Sequence, residues 1–466
     1  MLTRFLSRPD ALRLLTLTAA ILMLLPLPIM QYVGEEGLMA IKSYEMFVRD
    51  DWLHPSIFGM VWPHSPLWHW PVIGLCLLFG WEHVDIAIRL VSVFSTWAGA
   101  VVAGMAARWL FPAHRNVAWL AALIYLSLGE TCFWYGWLGY VDAMFGMFIF
   151  ASIMALWRYL ECEHPAWLTL SLLAISLAFL TKNITAYVLY GAAGFVLLWQ
   201  LGRWQALGKA TNILGLVLAL SVPALWQLFV IQHGGNTATT TLNDALRNFI
   251  GFGLLDYLKH WITFPLIFLL RAFPMTLFLL WLWWFRKQSF EFSQPIRTLG
   301  LIILVCLLPF WVSANGTPRY LLPLYGFVSL MLTGLMLQLE PRRLMQGLRL
   351  IAIVLMLKIP YSLVVLPGIK DWLPERDVVA VAKDIMSITG DTKVYTRNDV
   401  ATGLAIAAYI DVWRQDKAPI TWYRGQKPPA YVLAEAESPK LGKLVRSWRL
   451  RGDRVFLYQL EGSGAR

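Results

Sequence analysis

Two adjacent carboxylates, Glu35 and Glu36, open the stretch QYVGEEGLMAIKSYEMFVRDDWLHP, directly after the apolar run ALRLLTLTAAILMLLPLPIM. Charge this close to hydrocarbon is costly unless it faces water or has work to do. An acidic residue at a helix N-terminus is stabilised by the helix dipole. That accounts for Glu36 but not for both residues beside a membrane. A carboxylate so placed can also take the proton from an attacking hydroxyl. Other polar residues interrupt apolar sequence further on. His64 and His69 lie in WPHSPLWHW, Asp142 in GYVDAMFGMF, Lys182 in TKNIT, Arg271 in LIFLLRAFPMTLF and Arg319 in NGTPRYLLPLY. Arginine binds phosphate bidentately and lysine binds it as a point charge. A base together with such cations suits group transfer from a phosphate ester.

The elements that must position these residues are membrane helices. The chain has 466 residues, 58% hydrophobic and 14% charged, with a mean hydropathy of +0.58. Soluble domains average about 25% charged residues. Spans of about 20 apolar residues are expected near 11–30, 86–110, 117–135, 142–159, 167–181, 185–201, 211–231, 261–284, 298–314, 319–338 and 350–366. The short run 66–80, PLWHWPVIGLCLLFG, is decided by charge parity. If it lies along the interface, the loops on the N-terminal side hold fourteen Lys and Arg and the opposite loops seven. If it crossed, the positive-inside rule would fail at nearly every later loop. It is therefore read as a juxtamembrane helix. The N-terminus is then cytoplasmic, in an uncleaved first helix, and the 31–85 loop and the tail lie outside. Glu35, Glu36, His64, His69, Asp142, Lys182 and Arg319 all fall on that outer face. Arg271 falls mid-span between Pro265 and Pro274, where a kinked helix could line a cavity.

From about residue 367 the character changes. DVVAVAKDIMSIT has helical spacing, and TKVYTRND, PAYVLAE and DRVFLYQLE read as short strands. The expectation is a transmembrane domain over 1–366, with the active site carried on the 31–85 loop, and a soluble extracytoplasmic α/β domain over 367–466. The net charge of +11 is scattered among short loops, which argues for helix orientation and anionic lipid rather than nucleic acid. Cys76, Cys132, Cys162 and Cys306 have no paired spacing and read as buried small hydrophobes. The only low-complexity feature is the polar loop HGGNTATTTLND at 233–244.

The motifs, in order, resemble the GT-C membrane glycosyltransferases, in particular the protein mannosyltransferase and aminoarabinose transferase (ArnT-like) group. Glu35-Glu36-Gly37-Leu38-Met39-Ala40 is similar to the acidic pair that opens the group's first outer loop. RDDWLHP is similar to SGDWLVP, and His64-Ser65-Pro66-Leu67-Trp68-His69-Trp70 to a Lys/His-Pro-Pro-Leu-x-x-Trp segment. GYVDAM, LTKNI and GTPRYLLPLYG are similar to its TLDM, LTKGP and RPRYLLPLYP segments. The match runs from about 11 to 340. It departs where Glu35 replaces Asp, where Ser65 replaces Pro, where Asn183-Ile184 replace Gly-Pro, and at Pro63, where the aminoarabinose enzymes carry Glu. The missing acid argues against a strict aminoarabinose transferase.

The resemblance implies an all-α polytopic GT-C fold of about eleven transmembrane helices plus juxtamembrane helices. It implies transfer of a sugar from a polyprenyl-phosphate donor to an outer acceptor, whether an envelope glycan, a lipid A-like lipid or a protein, in a bacterial inner membrane. Direct displacement with one base inverts the anomeric centre. Glu35 is the expected base, and Asp142 the second catalytic residue. Glu36, His64, His69, Lys182, Arg271 and Arg319 are the expected substrate-binding set. The resemblance fixes no cofactor; a divalent metal held by His64 and Asp142 is an alternative the residues leave open. A different class, a transporter or flippase for a lipid-linked substrate, predicts ionisable residues at the bilayer midplane and internal repeats. The sequence has neither, apart from Arg271.

Overall fold

The computed structural model describes residues 10–62, 65–232, 253–313, 317–372, 377–415, 419–450 and 452–460. His64 and the polar loop at 233–244 lie outside the described residues. The chain divides into two compact units, one of Met1–Leu24, Ser92–Trp137 and Val141–Pro360, the other of Leu25–Val91, Leu138–Tyr140 and Tyr361–Arg466.

Among the described residues six helices are long and apolar enough to cross a membrane: Trp81–Leu110, Asp142–Cys162, Ala210–Phe229, Gln294–Val312, Pro318–Met336 and Pro341–Ile369. The remaining expected runs fall on shorter apolar helices, Ala11–Leu22, Val117–Ser127, Pro165–Thr181 and Thr185–Leu201, and on one broken pair. The Asp142–Cys162 and Pro165–Thr181 helices form a hairpin. Glu163 ends the first in a left-handed conformation (φ 55°), and His164 with Pro165 starts the second. Apolar surface gives no net drive for helix association in lipid, so small and polar contacts matter more. Ser171 donates to the Ser152 carbonyl at 2.8 Å and bonds the Tyr190 hydroxyl at 2.7 Å.

The expected span 261–284 is corrected by the structure. It is two helices, Leu254–Arg271 and Met275–Arg286, bent by 105°. Pro274 has no N–H to continue the helical ladder, and its ring disfavours a helical residue before it. Arg271 is therefore the last residue of a helix, at a break.

The second unit combines the first long loop with the tail. Its first helix, Glu36–Val48, is buried along most of its length, including the polar residues Glu36, Lys42, Ser43 and Glu45. A two-stranded hairpin follows, β1 (Ser56–Ile57) and β2 (Met60–Val61). The next helix, His69–Phe79, has 11 residues. It is one of the shorter apolar helices, as are Ala11–Leu22 and Val117–Ser127. The tail strands are β3 (Val394–Arg397), β4 (Thr421–Trp422), β5 (Tyr431–Ala434), β6 (Lys443–Leu450) and β7 (Asp453–Gln459). They form one sheet in the order β4-β3-β5-β7-β6, with β3 parallel to both β4 and β5 and the rest antiparallel. Three of these strands and the Val378–Thr389 helix were legible in the sequence. The Ala401–Trp413 helix was not: it is buried over nearly its whole length, so its sequence has no polar face to mark the period.

Tail and loop are tied together inside this unit. The Trp422 N–H donates to the Phe58 carbonyl at 2.9 Å, and Gln31 donates to Asp377 at 2.8 Å. The Glu36–Val48 and Ala401–Trp413 helices meet backbone to backbone at Gly37. A Cβ there would lie 2.6 Å from the Ala405 Cα and 2.7 Å from its nitrogen. Gly37→Val therefore has to push the two helices apart. We expect a loss of about 1–3 kcal/mol, read as a lower melting temperature of the purified protein in detergent. A melting temperature equal to wild type contradicts the close packing.

Candidate functional site

In the second unit the adjacent carboxylates separate completely in role. Glu36 is fully buried against Arg89, itself fully buried. One Glu36 oxygen accepts from Arg89 Nε at 2.9 Å and from the Gly139 N–H at 2.6 Å. The other accepts from Arg89 Nη2 at 2.6 Å and from the Val33 N–H at 2.8 Å. Arg89 spends its other donors on the Leu27, Met30 and Gln31 carbonyls at 3.0, 2.6 and 2.8 Å. Glu36 thus holds the loop together, its two carboxylate oxygens accepting four hydrogen bonds within the unit.

Glu35 is half-buried at the helix cap, and its side chain makes no capping hydrogen bond. Its backbone is fixed, because its N–H donates to the Tyr140 hydroxyl at 2.8 Å. That hydroxyl in turn donates to the Val33 carbonyl at 3.0 Å. The carboxylate is therefore carried on a rigid turn without being consumed by the cap. His69 is buried, and its Nδ1 bonds the Ser43 hydroxyl at 2.8 Å. Burial, and secondarily the charge of Lys42, push its pKa well below the usual histidine range, so the ring is neutral. Lys42 itself is fully buried. Burial pulls its amine down to about 7, against an upward pull from Glu35.

In the first unit the remaining expected residues come together. Asp142 is buried at the head of its helix, and Lys182 reaches its carboxylate at 2.6 Å. The Lys182 amine also stands 4.3 Å from the Tyr320 ring centroid, and the Arg319 guanidinium stands 5.3 Å from the same ring. Arg271 pairs with Glu130, its Nη1 donating to both carboxylate oxygens at 2.7 Å. The half-buried Tyr135 hydroxyl feels the charges of Arg319, Glu130, Arg271 and Asp142. Lys182, Arg271 and Arg319 thus gather with Asp142 and Glu130.

Sequence reading missed several members of these clusters. Glu130, a lone carboxylate in the apolar run YLSLGETCFW, was a usable signal that a charge inside the bilayer segment had a partner. Arg89 read only as a loop charge. Lys42 gave no signal, because amphipathic helices in loops carry lysines routinely. Lys358 is also fully buried, its amine 5.3 and 5.2 Å from the Phe133 and Trp137 rings. Cys162 is exposed, contrary to expectation, because it closes its helix; the other three cysteines are buried. Among the described residues no group of three or more His, Cys, Asp or Glu gathers as metal ligands. Lys182 donates to one Asp142 carboxylate oxygen, Oδ1, at 2.6 Å.

Removing one partner of a buried pair strands the other charge. Arg89→Met should therefore cost about 3–5 kcal/mol, and adding Glu36→Gln should recover part of it. A double-mutant cycle of melting temperatures reads the coupling. Additive losses contradict it.

No family model matches the chain. A curated relative from Pseudomonas aeruginosa, named undecaprenyl phosphate-alpha-4-amino-4-deoxy-L-arabinose arabinosyl transferase, is 27% identical over 305 residues, covering 63% of this chain and 53% of the relative. A protein of the same name from Yersinia enterocolitica is 32% identical over 180 residues, covering 37% of this chain and 32% of its own length. One from Pseudomonas fluorescens is 23% identical over 502 residues, covering 92% and 83%. The chain spans about half the length of the first curated relatives it matches. The crystal structure of ArnT from Cupriavidus metallidurans bound to undecaprenyl phosphate superposes with a TM-score of 0.73 at 15% identity, covering 97% of this chain and 98% of that one. The apo form gives 0.70. The chain therefore has the fold of that transferase and is similar in sequence to the aminoarabinose transferases.

Proposed function

We propose that this integral membrane protein is an inverting glycosyltransferase. It moves a sugar, a pentose in the first instance, from a polyprenyl-phosphate donor to an acceptor outside the membrane. The observation that carries the reading is the pair of cations on one tyrosine, Lys182 and Arg319 at 4.3 and 5.3 Å from the Tyr320 ring. The donor is a phosphodiester, and its phosphate gains a negative charge as the glycosidic bond breaks. Fixed cations on an aromatic floor stabilise that charge without reorganising. Asp142 holds Lys182 in place, and Arg319 offers the bidentate fork that phosphate oxygens accept. Glu35, on its fixed turn, is the base that takes the acceptor proton. Arg271 is neutralised by Glu130, which makes it a wall of the cluster before it is a phosphate ligand. The curated relatives are named for transfer from undecaprenyl phosphate, which makes that lipid carrier the first donor to test. The excess of basic loops on the N-terminal side supports a cytoplasmic N-terminus and an outer tail.

The test is transfer by purified protein using undecaprenyl-phosphate sugars, with lipid A, envelope glycan and protein acceptors offered in parallel. Glu35→Gln should bind donor normally and lose turnover by about 10²–10⁴-fold. Arg319→Gln should weaken donor turnover by about 10²–10³-fold. A fully active Glu35→Gln moves the base elsewhere, with Asp142 the next candidate. Donor movement across the bilayer without sugar transfer supports a flippase instead.

A further inference from the structure

The outermost strand of the tail sheet gathers charge that the proposed reaction does not use. Residues 440–454, KLGKLVRSWRLRGDR, hold six Lys and Arg and one acid. β6 lies at the edge of its sheet, with β7 as its one neighbour among the described residues. Lys443 to Ser447 and Arg449 are exposed, as are Lys440 before the strand and Arg454 on β7. Arg446 is paired, 3.0 Å from Asp384. Lys440, Lys443, Arg449 and Arg454 make no ion pair among the described residues. Glu435, Glu437 and Asp453 line a cleft with Arg454, yet none of them pairs with it.

The register sets Arg449 directly opposite Arg454. Like charges so placed destabilise a strand pair unless an anion meets them. Charge on an edge strand also guards against pairing with another strand. That role asks for one or two charges. It does not ask for opposed arginines, nor for Leu444 and Val445, 41% and 37% exposed between Lys443 and Arg446.

Cations interleaved with apolar residues suit the boundary of an anionic bilayer, where the charges meet phosphate and the stems meet hydrocarbon. The eight residues of β6 extend about 26 Å at about 3.3 Å each, the dimension of a surface and not of one phosphate. A bilayer also lies within the tail's reach. Val378, which starts the first tail helix, follows Ile369, the end of a helix able to cross a membrane, by nine residues. That much chain spans at most about 30 Å. We propose that β6 is a docking surface for anionic phospholipid, and that the tail rests on the bilayer through it. Within the second unit the tail is bonded to the loop that carries Glu35, so a docked tail also steadies that loop against the membrane.

The experiment is hydrogen exchange of the full chain, one copy per nanodisc. Discs of phosphatidylcholine are compared with discs of equal parts phosphatidylcholine and phosphatidylglycerol. The amides of Lys443–Leu450 should exchange more slowly with phosphatidylglycerol, and high salt should reverse the slowing. Arg449→Gln with Arg454→Gln should lower the docked-to-free ratio about fivefold for each charge removed. It should melt no lower than wild type in detergent, because it relieves the opposed pair. Equal wild-type exchange in the two lipids overturns the proposal without any variant. So does phosphatidylglycerol slowing that the folded double variant keeps in full. Slowing by free glycerol phosphate in phosphatidylcholine discs overturns it in favour of a small-anion site. Slowing seen only with several copies per disc overturns it in favour of edge pairing with a second copy. No residue of the proposed catalytic set is changed, so these results are independent of the sugar-transfer reading.

Discussion

The Glu36–Arg89 ion pair is the constraint on which the first long loop depends. Both side chains are fully buried, and seven polar contacts among them and their neighbours leave no charge uncompensated. Desolvating two charges costs several kcal/mol each, and only this density of hydrogen bonds repays it. What the arrangement secures is register. Arg89 collects three carbonyls from residues 27–31, and Glu36 collects the N–H groups of Val33 and Gly139. The turn that carries Glu35 is thereby clamped from both sides. Tyr140 completes the clamp by bonding the Glu35 N–H. A base must be held within a fraction of an ångström of its proton donor, and a loop leaving a membrane has no such rigidity of its own.

The same rule governs the other unit with a different outcome. In this cluster Glu130 pairs with Arg271 and Asp142 with Lys182. Arg319 and Lys182 both stand over the Tyr320 ring. In the second unit, burial lowers the Lys42 amine to about 7.

The sequence by itself determined the membrane class, the helical runs, the short juxtamembrane helix and the identity of the polar residues worth watching. Those features are local. Hydrocarbon thickness fixes span length, and a lone charge in apolar sequence is conspicuous wherever it ends up. Asp142, Lys182 and Arg319 were legible for that reason, and three tail strands were legible through their alternation.

Only the tertiary structure decided which charges meet. Glu35 and Glu36 are neighbours of the same type, yet one is consumed by Arg89, 53 residues away, and the other is not. No pattern within a helix distinguishes them, because the difference comes from what the fold brings to each side. The break at Pro274 likewise puts Arg271 at a helix end, paired with Glu130, 141 residues away. Burial of Lys42 has the same origin. Its exposure is set by the packing around the Glu36–Val48 helix, and desolvation, which depends on all of that packing at once, sets its chemistry.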